Sequence, residues 1–351
     1  MTSKTVSVGL VGYGMAGRVF HAPVISCVSG LKLTAVVERH GGESVQRYPS
    51  IAIVKDVQEL FKSPELDLVV VATPNATHFA LARDALLAGK HVVVDKPFTI
   101  TSAQADELIA LARQKGKILT VFQNRRWDGD FQTVCTIVRN KRVGRLVEFE
   151  SCFDRFRPGP KQGAWREQRV PGGGLLYDIA PHLADQALLL FGWPCAVTAS
   201  IRTQRDNAAV DDKFEIALRY PELDVKLEAG MLARQGRPRF RLSGTLGSFV
   251  KYGLDPQEDA LRSGLLPTGS LWGKEPEDRW GALDTCINGK DAREKIETLP
   301  GRYCEFYENV RDVIVNGAVL AVKPEQARDA LRIVELAMES ARLGKTVEAI
   351  R

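Results

Sequence analysis

Three short stretches of the chain hold residue types whose spacing can do chemistry. The first is Gly12-Tyr13-Gly14-Met15-Ala16-Gly17, with glycine at its first, third and sixth positions. It follows the apolar run Val6–Val11 and precedes a helical pattern. In that setting the first glycine permits a tight turn, the second lets backbone approach a pyrophosphate, and the third lets helix pack closely on strand. Helix N–H groups then face the phosphates, so these six residues are expected to bind a dinucleotide. A glycine-rich turn with no ligand is the bland alternative.

The second stretch, His91-Val92-Val93-Val94-Asp95-Lys96-Pro97, ends an apolar strand on a cation. A doubly wound sheet places its ligand at the carboxyl ends of its strands. Lys96 there can polarise a substrate oxygen or relay its proton, provided burial and the nicotinamide charge lower its pKa. Taken alone, the same lysine reads equally well as a surface charge. The third stretch is Gly172-Gly173-Gly174 followed by Asp178 and His182. Four residues apart on a helix, the last two share one face. The histidine can take a hydroxyl proton as hydride leaves the same carbon, and the aspartate can orient it or bind a neighbouring hydroxyl. Without further context such a pair is more often a structural hydrogen bond.

The elements that must position these groups fall into two kinds. Apolar runs at Val6–Val11, Leu33–Val37, Leu68–Ala72, His91–Val94 and Ile118–Phe122 alternate with helical spacing at Thr77–Ala88 and Ala103–Lys115. That alternation predicts an α/β Rossmann domain, a doubly wound parallel sheet over residues 1–123. After Asn124 comes a long helix, Leu175–Phe191, then strand-like runs at Val197–Arg202, Phe214–Tyr220, Val225–Met231 and Phe240–Ser243. These predict a second α/β domain over 124–351 with a large, mainly antiparallel open sheet. Pro256 to Pro300, rich in Gly, Pro and charge, reads as long loops. Helices at Tyr303–Val315 and Pro324–Leu343 close the chain, the second starting on a proline whose missing N–H does no harm there.

The second Rossmann strand ends on Glu38-Arg39. Glu38 can accept from both ribose hydroxyls, which favours NAD; Arg39 can pair with a 2′-phosphate, which favours NADP. Composition narrows the partners. A net charge of +5, from 48 basic and 43 acidic residues over 351, is scattered and forms no arginine-lysine stripe, so no nucleic acid is expected. The six cysteines form no CxxC pair, so neither a zinc site nor a disulfide framework is expected. No signal peptide or apolar span is read at the N-terminus, so a cytoplasmic protein with no membrane partner is expected.

The order GxGxxG, Asp-Lys-Pro, then Gly-Gly-Gly with Asp-x-x-x-His resembles the Gfo/Idh/MocA (glucose-fructose oxidoreductase / inositol dehydrogenase) family over essentially the whole chain. That resemblance implies Lys96, Asp178 and His182 as catalytic residues. It also implies that Thr73-Pro74-Asn75 and His78 line the nicotinamide ribose. Members usually carry Glu-Lys-Pro, so Asp95 departs from the pattern while Lys96 and Pro97 keep it. Phe20-His21-Ala22-Pro23, Asn124-Arg125-Arg126-Trp127-Asp128, Asp154-Arg155-Phe156-Arg157-Pro158 and the run Lys251–Glu258 are similar to the NADP-dependent scyllo-inositol dehydrogenase branch. Those relatives commonly have Ser-Arg where Glu38-Arg39 stand, which leaves NADP only modestly preferred over NAD.

The implied activity is hydride transfer between the nicotinamide and a secondary alcohol or ketone carbon of a cyclitol, sugar or related polyol. A reductase of a biosynthetic ketone or imine, a non-catalytic dinucleotide-binding regulator, and an NAD-dependent redox-neutral glycosidase are the alternatives. Arg125, Arg126, Arg155 and Arg166, with Trp127, Trp165, Asn124 and Tyr252, are candidates for a polar, aromatic-edged substrate pocket. Each arginine reads equally as an interdomain ion pair or an oligomer contact. The expected partners are a small polyol, sugar or carbonyl compound and further copies of the chain, as a dimer or tetramer.

Overall fold

The apolar run Val6–Val11 forms β1, and its alternate residues serve two cores. Val6, Val8 and Leu10 face one cluster and Val11 the other. A strand buried on both faces needs helices on both sides, and the sequence supplies them. The computed structural model describes residues 5–38, 42–287 and 289–350. After β1 come α1 (Ala22–Cys27), β2 (Leu31–Val37), α2 (Glu43–Arg47), β3 (Ala52–Val54) and α3 (Val57–Lys62). Then come β4 (Leu68–Val71), α4 (His78–Leu87), β5 (His91–Val94), α5 (Ser102–Lys115) and β6 (Leu119–Val121). The six strands are all parallel in the order β3-β2-β1-β4-β5-β6. Strand order reverses between β1 and β4, the crevice where such sheets bind ligands. Local chemistry sets the helix ends: the Thr101 side chain caps α5 and Gly116, at φ 60°, ends it.

The rest of the chain supplies α6 (Gly129–Arg139), β7 (Leu146–Cys152), α7 (Gly174–Phe191), β8 (Ala196–Arg202), β9 (Lys213–Arg219), β10 (Asp224–Gly230), β11 (Phe240–Gly244) and β12 (Gly247–Lys251). It continues with α8 (Gln257–Arg262), β13 (Gly281–Ile287), β14 (Lys290–Ile296), α9 (Cys304–Asn316), α10 (Pro324–Leu343) and β15 (Val347–Glu348). Nine strands form a second sheet in the order β14-β13-β12-β11-β7-β10-β9-β8-β15. Among the described residues only the β7/β10 pair of this sheet is parallel. α7 packs on β9 and β10, over a core that includes Phe149, Phe214, Phe240 and Leu183. The other face is polar: Lys226 reaches Glu148 and Glu150 at 2.7 and 3.2 Å.

Two compact units result. One comprises residues 1–127, 257–272 and 302–328, and the other 128–256, 273–301 and 329–351. Thus α8 and α9 lie with the Rossmann sheet, α9 packing against α1 and β1. The stretch from Pro256 to Pro300, expected as loops, instead contains α8 and the β13/β14 hairpin. Its strand signal is missing because β14 is an edge strand whose side chains are nearly all exposed, so no apolar alternation marks it. Short β3, also at an edge, is silent for the same reason. Among the described residues no helix is long and apolar enough to cross a membrane.

One buried pair tests how the second unit holds together. The Lys251 ammonium donates to Tyr252 O at 2.6 Å and lies 3.0 Å from Glu275, and both side chains of the ion pair are fully buried. Removing one partner strands the other charge in a medium that cannot solvate it. Glu275→Ala is therefore expected to lower unfolding free energy in urea by about 3–5 kcal/mol, whereas the Lys251→Met/Glu275→Leu pair recovers most of that loss.

Candidate active site

The glycine turn has the shape its sequence requires. Gly12 has φ +99°, and a Cβ on it would lie 2.7 Å from Ala72 O. A Cβ on Gly17 would lie 2.1 Å from Gly12 O, so helix and turn press together there. At Gly14 a Cβ would meet nothing within 4 Å. Two glycines are thus required by packing, while the third leaves backbone open on the side a pyrophosphate must approach. The donor-rich turn fits a dinucleotide. Tyr13 is buried beside it, and burial pushes its phenol up to about 12. Ala16 packs into the core, while Met15 is exposed.

Glu38 follows β2 and is engaged by α2. Its carboxylate accepts from Glu43 N at 3.0 Å, Ser44 N at 3.3 Å and Ser44 Oγ at 2.7 Å, so it caps the first turn of α2. Arg39 lies outside the described residues. Sequence reasoning missed a second basic group. Arg262, at the end of α8, sits with Nη2 3.8 Å from Met15 Sδ in the glycine turn. It is held by Glu258 at 2.8 and 3.0 Å.

The loops after β4 and β5 are joined by His78. Its side chain is fully buried at the start of α4; Nδ1 faces Pro97 O at 2.8 Å and Nε2 faces Thr73 O at 2.9 Å. A carbonyl only accepts, so one contact is a hydrogen bond in the neutral ring and both are in the protonated ring. Burial lowers the His78 pKa, against Asp95 and the two carbonyls, which raise it. Thr73 Oγ1 and Thr77 Oγ1 are paired at 2.7 Å, Pro74 O accepts from Thr77, and Asn75 is buried. His78 therefore shapes the loop rather than reaching out of it. Asp95 Oδ1 accepts the Lys96 N–H at 2.9 Å, and the Lys96–Pro97 peptide is cis. Lys96 itself is half-buried.

Asn124, Arg125, Arg126 and Trp127 form one buried turn directly after the Rossmann sheet. Arg125 pairs with Glu258 at 2.7 Å. Arg126 donates to Ala321 O at 2.9 Å and Gln326 Oε1 at 3.0 Å. Trp127 packs edge-on to Phe306 at 5.8 Å. These contacts support a framework role for the turn.

In the second unit α7 presents Asp178 and, one turn on, the buried His182. Two guanidinium groups converge on Asp178: Arg155 Nη1 and Arg166 Nε, each at 3.4 Å. Arg155 lies over Phe153 at 4.9 Å and Arg166 over Trp165 at 4.5 Å, so flat aromatic faces fix both cations. Tyr252, the last of the pocket candidates, is exposed. The start of α7 explains the third glycine of the triplet. Asp211 Oδ2 accepts Leu176 N–H at 2.6 Å, and a Cβ on Gly174, at φ +89°, would lie 2.1 Å from Asp211 Oδ1. Asp211 thus caps the helix that carries Asp178 and His182. Its only trace in sequence is the glycine that makes room for it.

A 3-2-1-4-5-6 parallel sheet, a glycine turn open to a pyrophosphate and a lysine just beyond β5 define a nicotinamide-dinucleotide oxidoreductase. The chain belongs to the Gfo/Idh/MocA oxidoreductase family and is an NAD(P)-dependent enzyme. The family profile described as "Oxidoreductase family, NAD-binding Rossmann fold" matches residues 6–123. Its companion, "Oxidoreductase family, C-terminal alpha/beta domain", matches 136–349. The uncharacterized oxidoreductase YdgJ of Escherichia coli is 42% identical over 97% of both chains. The scyllo-inositol 2-dehydrogenase (NADP(+)) IolW of Bacillus subtilis is 36% identical over 98% of this chain and 96% of its own. An oxidoreductase structure from Bacillus cereus superposes with a TM-score of 0.91 at 34% identity, covering 99% of each chain.

The Arg125–Glu258–Arg262 set gives a pH prediction. Burial pushes the Glu258 carboxyl up, but Arg125 and Arg262 outweigh it and bring the value down to about 2. A depressed carboxyl contributes stability that is complete above its unfolded value and is lost as pH falls through the folded one. Glu258 is therefore expected to supply roughly 3 kcal/mol above pH about 4.5, lost progressively towards pH about 2. Denaturant midpoints across that range check this: Glu258→Gln should be less stable at pH 7 and show a flatter acid limb.

Proposed function

We propose that the chain interconverts a secondary alcohol and its ketone on a cyclitol, sugar or related polyol, with a modest preference for NADP. The observation that carries the reading is the α7 set. There a histidine sits one helical turn from an aspartate fixed between two aromatic-backed arginines. A polyol offers adjacent hydroxyls that such a group of donors and acceptors can hold, and the IolW relative acts on a cyclitol by name.

In the oxidative direction His182 accepts the hydroxyl proton while the C–H electron pair leaves as hydride, and the carbonyl forms. The Lys96 ammonium stabilises the oxygen as negative charge develops on it. Asp178, fixed by Arg155 and Arg166, binds a neighbouring hydroxyl or orients His182. The nicotinamide takes up or supplies the hydride; the protein contributes orientation and electrostatics. Self-association as a dimer or tetramer is part of the same proposal, with the polar outer face of the nine-stranded sheet as its surface.

The cofactor preference rests on Glu38 and Arg262. Glu38 is committed to α2 by three hydrogen bonds, which leaves phosphate recognition to basic groups near the turn. Arg262→Ala is expected to weaken NADPH binding about tenfold, read by fluorescence titration, since a charge-assisted hydrogen bond contributes about 1.5–3 kcal/mol. An unchanged affinity removes Arg262 from the cofactor's contacts.

The function itself is tested by NADPH and NADH oxidation, and the reverse reaction, against cyclitols, aldoses, uronic acids and simple carbonyls. Lys96→Ala and His182→Ala are each expected to lower turnover at least about a hundredfold. Near-normal turnover in both overturns the assignment. Tight NADPH binding without turnover on the whole panel would mark a sensor instead.

A further inference from the structure

The Phe20-His21-Ala22-Pro23 motif places a histidine that neither the dinucleotide turn nor proton transfer uses. The helix after the glycine turn opens with a π-helical turn, Gly17–His21, closed by the Ala22 N–H on Gly17 O. Such turns insert one extra residue and so rotate the next side chains about the helix axis. His21, the last residue of this one, is fully buried, its ring 4.5 Å from that of Phe122. Nδ1 lies 2.6 Å from Tyr307 Oη on α9. Nε2 makes no hydrogen bond and faces Asp95 Oδ1 at 3.5 Å, the same oxygen that accepts the Lys96 N–H at 2.9 Å.

Chemistry orders the donors. Burial and the Asp95 charge hold the Tyr307 phenol well above its ordinary value, so it keeps its proton and donates to Nδ1. With Nδ1 accepting, the ring's N–H is on Nε2, aimed at a carboxylate that only accepts. Asp95 is faced by His21 from the π-helical turn, His78 from α4, Tyr307 from α9 and the adjoining Lys96. Burial pushes its carboxyl up; His21, Lys96 and His78 outweigh this and bring it below the usual range.

We propose that Tyr307 and His21 are positioning residues that hold Asp95 as an anion beside Lys96, so that Lys96 serves the reaction as a fixed ammonium and not as a base. The functional half of this rests on the reading of Lys96 as the group at the substrate oxygen. The electrostatic half does not, since an anion held at Asp95 acts on the ammonium whatever its use. Tyr307, His21 and Asp95 come from α9, the π-helical turn and the residue after β5 respectively.

The test reads the Lys96 amine without substrate. Reductive methylation with formaldehyde and cyanoborohydride, followed at Lys96 by peptide mass spectrometry from pH 7 upward, measures its free-amine fraction. The exposed Lys115 serves as reference in the same digest. Asp95→Asn is expected to move the Lys96 profile to lower pH, raising labelling near neutrality roughly tenfold with the high-pH plateau unchanged. His21→Phe and Tyr307→Phe are expected to shift it the same way by about threefold; the second removes a single oxygen and so keeps the test usable if the first fails to fold. An unshifted profile in Asp95→Asn overturns the proposal. So does a shift there with none in the other two variants, because Asp95 then acts alone. Labelling that rises in plateau as well as midpoint also overturns it, since that is loosened packing. Failure of the catalytic reading is distinct: it appears as near-normal turnover in Lys96→Ala and leaves these profiles as they are.

Discussion

Gly17 lies so close to the carbonyl of Gly12 that a single added carbon would come within 2.1 Å of the oxygen. This contact fixes how the chain enters the helix after β1. It keeps the turn tight enough for Gly14 to stand open, and it begins the π-helical turn that ends on His21. Gly17 is thus shared: it closes the glycine turn and starts the five-residue π-helical turn that ends on His21, the histidine that faces Asp95. A larger side chain at Gly17 displaces both. No substitution elsewhere in the turn can compensate, because the obstacle is backbone.

Farther along the sheet the same economy recurs. His78 starts α4 and spans the loops after β4 and β5 through two carbonyls, so the Thr73 loop and the Lys96-Pro97 turn cannot shift independently. Asp211 does for α7 what Glu38 does for α2: a carboxylate from a separate segment satisfies N–H groups that the helix leaves without partners. For α7 that carboxylate lies 35 residues from the N–H it accepts and locks the helix that carries Asp178 and His182. Arg125, Glu258 and Arg262 extend the pattern to α8, which reaches the glycine turn from the later part of the chain.

How much of this was legible in the sequence depended on range. The parallel sheet was legible because β1, β4 and β5 are apolar on both faces, and α10 because its first-turn proline and apolar spacing are local signals. The hairpin β13/β14 was not, since its outer strand buries almost nothing. Lys96, Asp178 and His182 stood out by motif. Their supports did not: Arg125 finds Glu258 133 residues away and Arg126 finds Gln326 200 residues away, distances no local pattern encodes. Read by type alone, those arginines suggested a substrate pocket; their partners show how each is held. Glu38 was visible as a strand end, but the turn of α2 that engages it was not.

The two carboxylates nearest the candidate chemistry share a physical condition. Asp95 is held by His21, His78 and Lys96 within its unit, and Asp178 by Arg155 and Arg166 within the other. For Asp95 burial favours the neutral form, and its neighbours outweigh that. The groups around each carboxylate come from separate elements and fix where it points. A group so restrained is poorly suited to exchange protons during turnover, because every protonation would forfeit its ion pairs. It is well suited to orient a neighbour. In the proposed reaction this leaves proton transfer to the imidazole of His182 and an orienting role to the aspartates.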